Sequence, residues 1–169
     1  MLKRWKSLTA MVLVSAALAV SVAGKDAKEQ GFNGKWALDK KNSHGSEMLG
    51  DLRQDIKQTG SDVTIQSRFP EPANGIAPLL YLGIMTTSMT LKADGQEVSN
   101  DIGPFKHMSK TTVDGNKMTT DWTSTISGDS VQGKWVRTLA SDGKHMTLEI
   151  TESSTHGQKG DATLAFTRK

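Results

Sequence analysis

The chain has 169 residues, with 21 lysines and arginines against 18 acids and no cysteine. Three of the cations, Lys3, Arg4 and Lys6, stand ahead of the run Leu8 to Val20, so the remainder of the chain is charge-balanced. That balance leaves no basic field to favour nucleic acid or an anionic membrane surface. The missing cysteine excludes disulfide stapling, thiol catalysis and thiolate metal sites.

Residues 1–23 read as a signal peptide. The positive start is followed by a run that is apolar apart from Thr9 and Ser15, and Ser21-Val22-Ala23 places small residues where cleavage occurs. The run is shorter than the ~20 residues that span a bilayer, which argues against a membrane anchor. Without a cysteine the lipoprotein route is closed. Residues 24–169 are then one domain, placed in the periplasm or secreted.

From there the chain repeats short alternating runs and tight turns. The reading predicts ten strands, at 32–39, 51–58, 62–69, 85–93, 96–102, 105–113, 116–126, 131–141, 144–154 and 161–168. Gly60-Ser61, Asp94-Gly95, Asp114-Gly115, Gly128-Asp129 and Asp142-Gly143 mark two-residue hairpin turns. Each such turn fixes a register. Across Gly128-Asp129, Trp122 faces Trp135 and Thr120 faces Arg137. Across Asp142-Gly143, Arg137 faces Leu148 and Trp135 faces Ile150. Across Asp114-Gly115, His107 faces Trp122. Across Asp94-Gly95, Leu91 faces Val98, and Lys92 faces Glu97 on the outside. Across Gly60-Ser61, Ile56 faces Ile65.

In every hairpin one face is mostly apolar and the other mostly polar. Ten meandering strands exceed what a flat sheet carries, so the fold class is all-β: a single up-and-down antiparallel β-barrel, closed so that no edge is exposed. Asp55, Lys57, Lys106, Lys110, Asp121, Lys134 and Glu149 fall on its outside, which a lipid-facing wall does not tolerate. The irregular connections are 40–50 and 70–84. The second holds Ile76-Ala77-Pro78-Leu79-Leu80-Tyr81-Leu82, which serves as a lid over the barrel mouth or as an exposed contact patch.

Gly34-Lys35-Trp36 resembles the Gly-x-Trp signature of the first strand in lipocalins and fatty-acid-binding proteins, the calycin barrels. The strand count and the tail, from Gly133-Lys134-Trp135 to Phe166-Thr167-Arg168, are similar to the fatty-acid-binding branch. Small exported bacterial proteins opening Gly-x-Trp-x-Leu-Asp also look similar. The resemblance implies that Trp36 closes the barrel floor and that Arg168 packs over it. It does not carry over the carboxylate-holding Arg-x-Tyr pair, because Ala162, Leu164 and Phe166 stand on the inner face of the last strand. Residues 40–50 are also too short for that branch's two helices.

By register Asn100, His107, Ser109, Thr120, Arg137 and Glu152 point inward. A buried arginine is costly unless paired or hydrated. Arg137 therefore signals an anionic ligand group or an internal partner. Glu152 faces Gly133, four residues along the strand, and is poorly placed to be that partner. The candidate ligand-binding set is Arg137, His107, Thr120, Trp122, Trp135, Leu148, Ile150 and Phe166, an apolar wall with a few polar groups.

No nucleophile motif or phosphate-cradling loop occurs, and the histidines at 44, 107, 145 and 156 lack metal-ligand spacing. No enzyme, cofactor or metal site is therefore expected. Two readings remain: a carrier of a small apolar or amphipathic molecule, or an envelope interaction module with a filled core, working through its outer surface or residues 70–84 on an envelope protein.

Overall fold

A computed structural model describes residues 31–46, 49–68, 84, 88–102, 105–126 and 128–169. The segment read as a signal peptide and residues 70–83, with Tyr81, lie outside the described residues. Ten strands follow one another: β1 (Gly34–Leu38), β2 (Arg53–Thr59), β3 (Asp62–Arg68), β4 (Ser88–Lys92), β5 (Asp94–Ile102), β6 (Phe105–Asp114), β7 (Lys117–Ile126), β8 (Asp129–Leu139), β9 (His145–Ser154) and β10 (Lys159–Arg168). A 3-10 turn, Lys40–Asn42, interrupts the connection after β1.

The strands form one antiparallel sheet in the order β4-β3-β2-β1-β10-β9-β8-β7-β6-β5. The first strand meets the last, with Trp36 opposite Arg168, so the sheet curls into a nearly closed up-and-down barrel. Alternation drives the curl. On β7, Met118, Thr120, Trp122 and Ser124 are buried while Lys117, Asp121, Thr123 and Thr125 are exposed. Burying one face of every strand leaves a single core inside the sheet. Outside, Glu97, Lys110, Asp121 and Lys134 are successive ladder partners across β5 to β8. Lys110 reaches Glu97 at 3.6 Å and Lys134 reaches Asp121 at 3.2 Å. Exposed pairs of this kind contribute little energy individually, but alternating charge disfavours a slipped register.

Three parts of the sequence reading are corrected. The Asp94-Gly95 turn does not join a hairpin. Leu91 pairs with Val63 on β3 rather than with Val98, and Lys92 pairs with Asp62 rather than Glu97. β4 and β5 are thus the two edges of the sheet, and closure is incomplete along the seam between them. The register between β5 and β6 shifts between Asp94 and Glu97, an irregularity at the start of β5.

The other two corrections are slips of two residues. Ile126 pairs with Asp129, so Trp122 faces Gly133, Thr120 faces Trp135, and Arg137 faces Met118. Asp114 pairs with Lys117, so His107 faces Ser124. A slip of two preserves the face of every side chain. The Gly60-Ser61 and Asp142-Gly143 hairpins have the expected pairs, among them Ile56 with Ile65 and Arg137 with Leu148.

Trp36 and Arg168 close one end of the barrel. The Arg168 guanidinium lies 4.3 Å from the centre of the Trp36 ring. It donates to the carbonyls of Gly31, Asn33 and Gly143, while the Trp36 indole N–H donates to Phe32 at 3.0 Å. Gly34 has φ +139°, and a Cβ there would stand 2.7 Å from Arg168 Nη1. The glycine of Gly-x-Trp is what lets the arginine cross the strand.

Candidate ligand site in the barrel interior

His107 on β6, Trp122 on β7 and Trp135 on β8 converge inside the barrel. The His107 ring stacks on Trp135 at 5.3 Å and meets Trp122 at 4.9 Å, and the two indoles are 5.6 Å apart. Trp122 reaches the cluster by lying across Gly133, its ladder partner. A Cβ on Gly133 would stand 2.5 Å from the indole, so only glycine leaves room. All three rings are buried.

Arg137 lies two residues beyond Trp135 on the same inward face, its guanidinium carbon 5.9 Å from that indole's centre. The residue is 1% exposed and makes no hydrogen bond or ion pair among the described residues; Nε and Nη1 are both buried and unpartnered. Burial lowers its pKa to about 10, so it stays cationic at neutral pH. Leu148 and Ile150 on β9 stand opposite Arg137 and Trp135 and supply apolar wall.

The other polar groups are mostly unsatisfied donors. His107 Nδ1 contacts Ser124 Oγ at 3.0 Å, while Nε2 has no partner. Burial pushes its pKa down to about 4, so the ring is neutral at ordinary pH. The indole N–H groups of Trp122 and Trp135 are also buried without partners among the described residues. Glu152, across from Gly133 as expected, holds a buried and unpartnered Oε2, and burial pushes its pKa up to about 7. It forms no ion pair with Arg137.

Not every expected residue joins the cluster. Thr120 is fully buried opposite Trp135, but its hydroxyl is engaged at 2.8 Å by Thr111, which the sequence reading passed over. Strand parity placed Thr111 inward too, so the signal was present. Phe166 is buried between Leu38 and Met146 in the ladder, beside the floor rather than the rings. Asn100 is only half-buried and serves the seam instead. A second inward polar pair, also missed, is Gln54 on β2 donating to Ser67 on β3 at 3.2 Å.

Chemically, the interior presents, among the described residues, one cation without an ion pair, two indole donors and one carboxyl group against aliphatic and aromatic walls. A groove of about 490 Å³ runs across β5–β9, lined mainly by outward-facing side chains, Lys110, Asp121, Gln132 and Lys134 among them, and the half-buried Glu152 also borders it. Of the predicted ligand set only Trp122 borders it.

No protein-family model matches the chain, and no curated protein matches it in sequence. Solved structures share its fold. A secretory abundant heat soluble protein from Ramazzottius varieornatus superposes with a TM-score of 0.53 at 11% identity, covering 82% of this chain and 95% of that one. Secretory abundant heat soluble protein 4 from the same organism gives 0.52 at 13%, covering 81% and 94%. Fatty-acid-binding protein 1 from Echinococcus granulosus gives 0.48 at 14%, covering 81% and 96%. The fold is a calycin-like β-barrel.

Proposed function

We propose that this protein binds a small amphipathic molecule inside the barrel, its anionic end at Arg137 and its apolar part along Trp122, Trp135, Leu148 and Ile150. One observation carries the reading: a buried guanidinium whose Nε and Nη1 have no hydrogen-bond partner among the described residues. Leaving a charge buried and unpaired costs several kcal/mol, at least ~3 by the effect of removing one partner of a buried pair. A residue that costs this much and serves no internal pair fits a group held ready for a ligand. The indole N–H groups add donors beside it.

The role is binding or carriage rather than catalysis. The buried His107, neutral and packed between two indoles, is a lining residue in this reading. Read as a signal peptide, the amino-terminal segment supports a location in the periplasm or outside the cell, where a barrel of this kind would sequester its ligand.

Native mass spectrometry of the protein isolated from its own source tests this beside an Arg137→Leu variant. Extra mass released on denaturation, and absent from the variant, supports the carrier. A bare apo mass in both, with no uptake of added lipids, sinks it. The outer groove across β5–β9 supports the second reading, an envelope interaction module, which such a result would leave standing.

A further inference from the structure

Arg137 and Glu152 are two inward-facing groups of opposite charge that never meet. Glu152 is registered with Gly133, four residues from Arg137 along β8, which separates their backbones by roughly 13 Å at ~3.3 Å per residue. Trp135 stands between them on the same face of β8, and Trp122 lies across Gly133 at the Glu152 level. Arg137 Nε and Nη1 and Glu152 Oε2 are all buried and without partners among the described residues. An internal ion pair would have satisfied both ends; the fold holds them apart across an aromatic and aliphatic wall.

We propose that the interior ligand is bipolar, with an anionic group at Arg137 and a hydrogen-bond donor, a hydroxyl or an amine, at Glu152, joined by an apolar spacer. This rests on the interior-binding reading and specifies its ligand. An anion alone would satisfy the arginine and leave the Glu152 oxygen buried beside an alkyl chain end. A donor at that end removes the penalty. Sites built to hydrogen-bond a group discriminate strongly against analogues that lack it, because their own polar atom is then left unpaired. Ten-carbon acids are suitable probes, because an extended chain of that order bridges backbones roughly 13 Å apart.

The test is titration of the protein with decanoate, 10-hydroxydecanoate and 10-aminodecanoate, followed by indole fluorescence and by native mass spectrometry. The two bipolar acids are expected to bind at least tenfold more tightly than decanoate. Glu152→Leu should erase that preference. Glu152→Gln should keep the preference for the hydroxy acid and lose most of that for the amine. Arg137→Met should weaken all three together. Decanoate binding as tightly as its bipolar analogues, with Arg137→Met still weakening it, would overturn the bipolar ligand and leave the interior site intact. If none of the three binds the unaltered protein, the interior reading falls and the bipolar ligand with it.

Discussion

The carboxamide of Asn100 on β5 grips the backbone of Thr90 on β4, accepting from its N–H at 2.8 Å and donating to its carbonyl at 2.8 Å. One side chain thus makes the two bonds a neighbouring strand would supply, and it makes them across the seam where the ladder is missing. Asn100→Ala should destabilise the barrel by about 1–2 kcal/mol. The local signature is specific: hydrogen exchange at Thr90 and along β4 should accelerate, while the β7–β8 ladder keeps its protection. Uniform acceleration would show that the clamp does not act on the seam.

Arg137→Met should raise the stability of the empty protein while lowering ligand affinity. The substitution removes an uncompensated buried cation and keeps an apolar side chain of similar length, a gain on the order of 1–4 kcal/mol. Chemical denaturation of the ligand-free protein measures it. A variant less stable than the parent would mean that Arg137 is satisfied internally.

His107 and Glu152 should give opposing pH dependences. His107 is held at about 4 in the fold, below its unfolded value, so the unfolded chain binds more protons between pH 4 and roughly 6.5. Its contribution is lost as pH falls through that window, to about 3 kcal/mol at the acid end. Glu152 is raised to about 7, so the folded protein binds more protons between roughly pH 4.5 and 7, and its contribution is lost as pH rises. Denaturation across pH 4.5–6.5 should show stability rising with pH in Glu152→Gln and falling in His107→Gln. Slopes of the same sign in both would contradict the assignment.

Gly133→Ala should cost about 1–3 kcal/mol by overpacking. The new methyl group would stand 2.5 Å from the Trp122 ring and 2.7 Å from the Thr151 carbonyl oxygen, and the second is backbone that yields little. The displaced indole should alter the near-ultraviolet circular dichroism. An unchanged spectrum and midpoint would show that the strand relaxes freely.

Most of the barrel was legible in the sequence because alternation survives errors in register. Both misplaced turns slipped by two, so Thr120, Trp122, Trp135 and Arg137 were assigned to the correct face with the wrong partners across β7–β8, while Trp135 and Arg137 have their expected partners on β9. The seam was not legible. Asp94-Gly95 announces a reversal of the chain, but a reversal does not determine that the flanking strands pair, and among the described residues β4 takes only β3 as a ladder partner. Within the site, the isolation of Glu152 from Arg137 followed from register alone. The convergence of His107 on both indoles did not, because ring packing across three strands depends on barrel curvature and on the Trp122 indole folding over Gly133.

The Arg168 clasp on the carbonyls of Gly31 and Asn33 sets the order of assembly. It joins residues 135 and 137 positions apart, and the β1–β10 ladder beside it cannot form until the final strand is available. Contacts of such long range are reached late and slow the folding transition. Neighbouring hairpins such as β6–β7 and β8–β9 can pair locally, while β1 and its Trp36 must wait for the far end of the chain. Removing Arg168 and Lys169, whose backbone N–H donates to Lys35, would therefore be felt first as a chain that collapses but does not close.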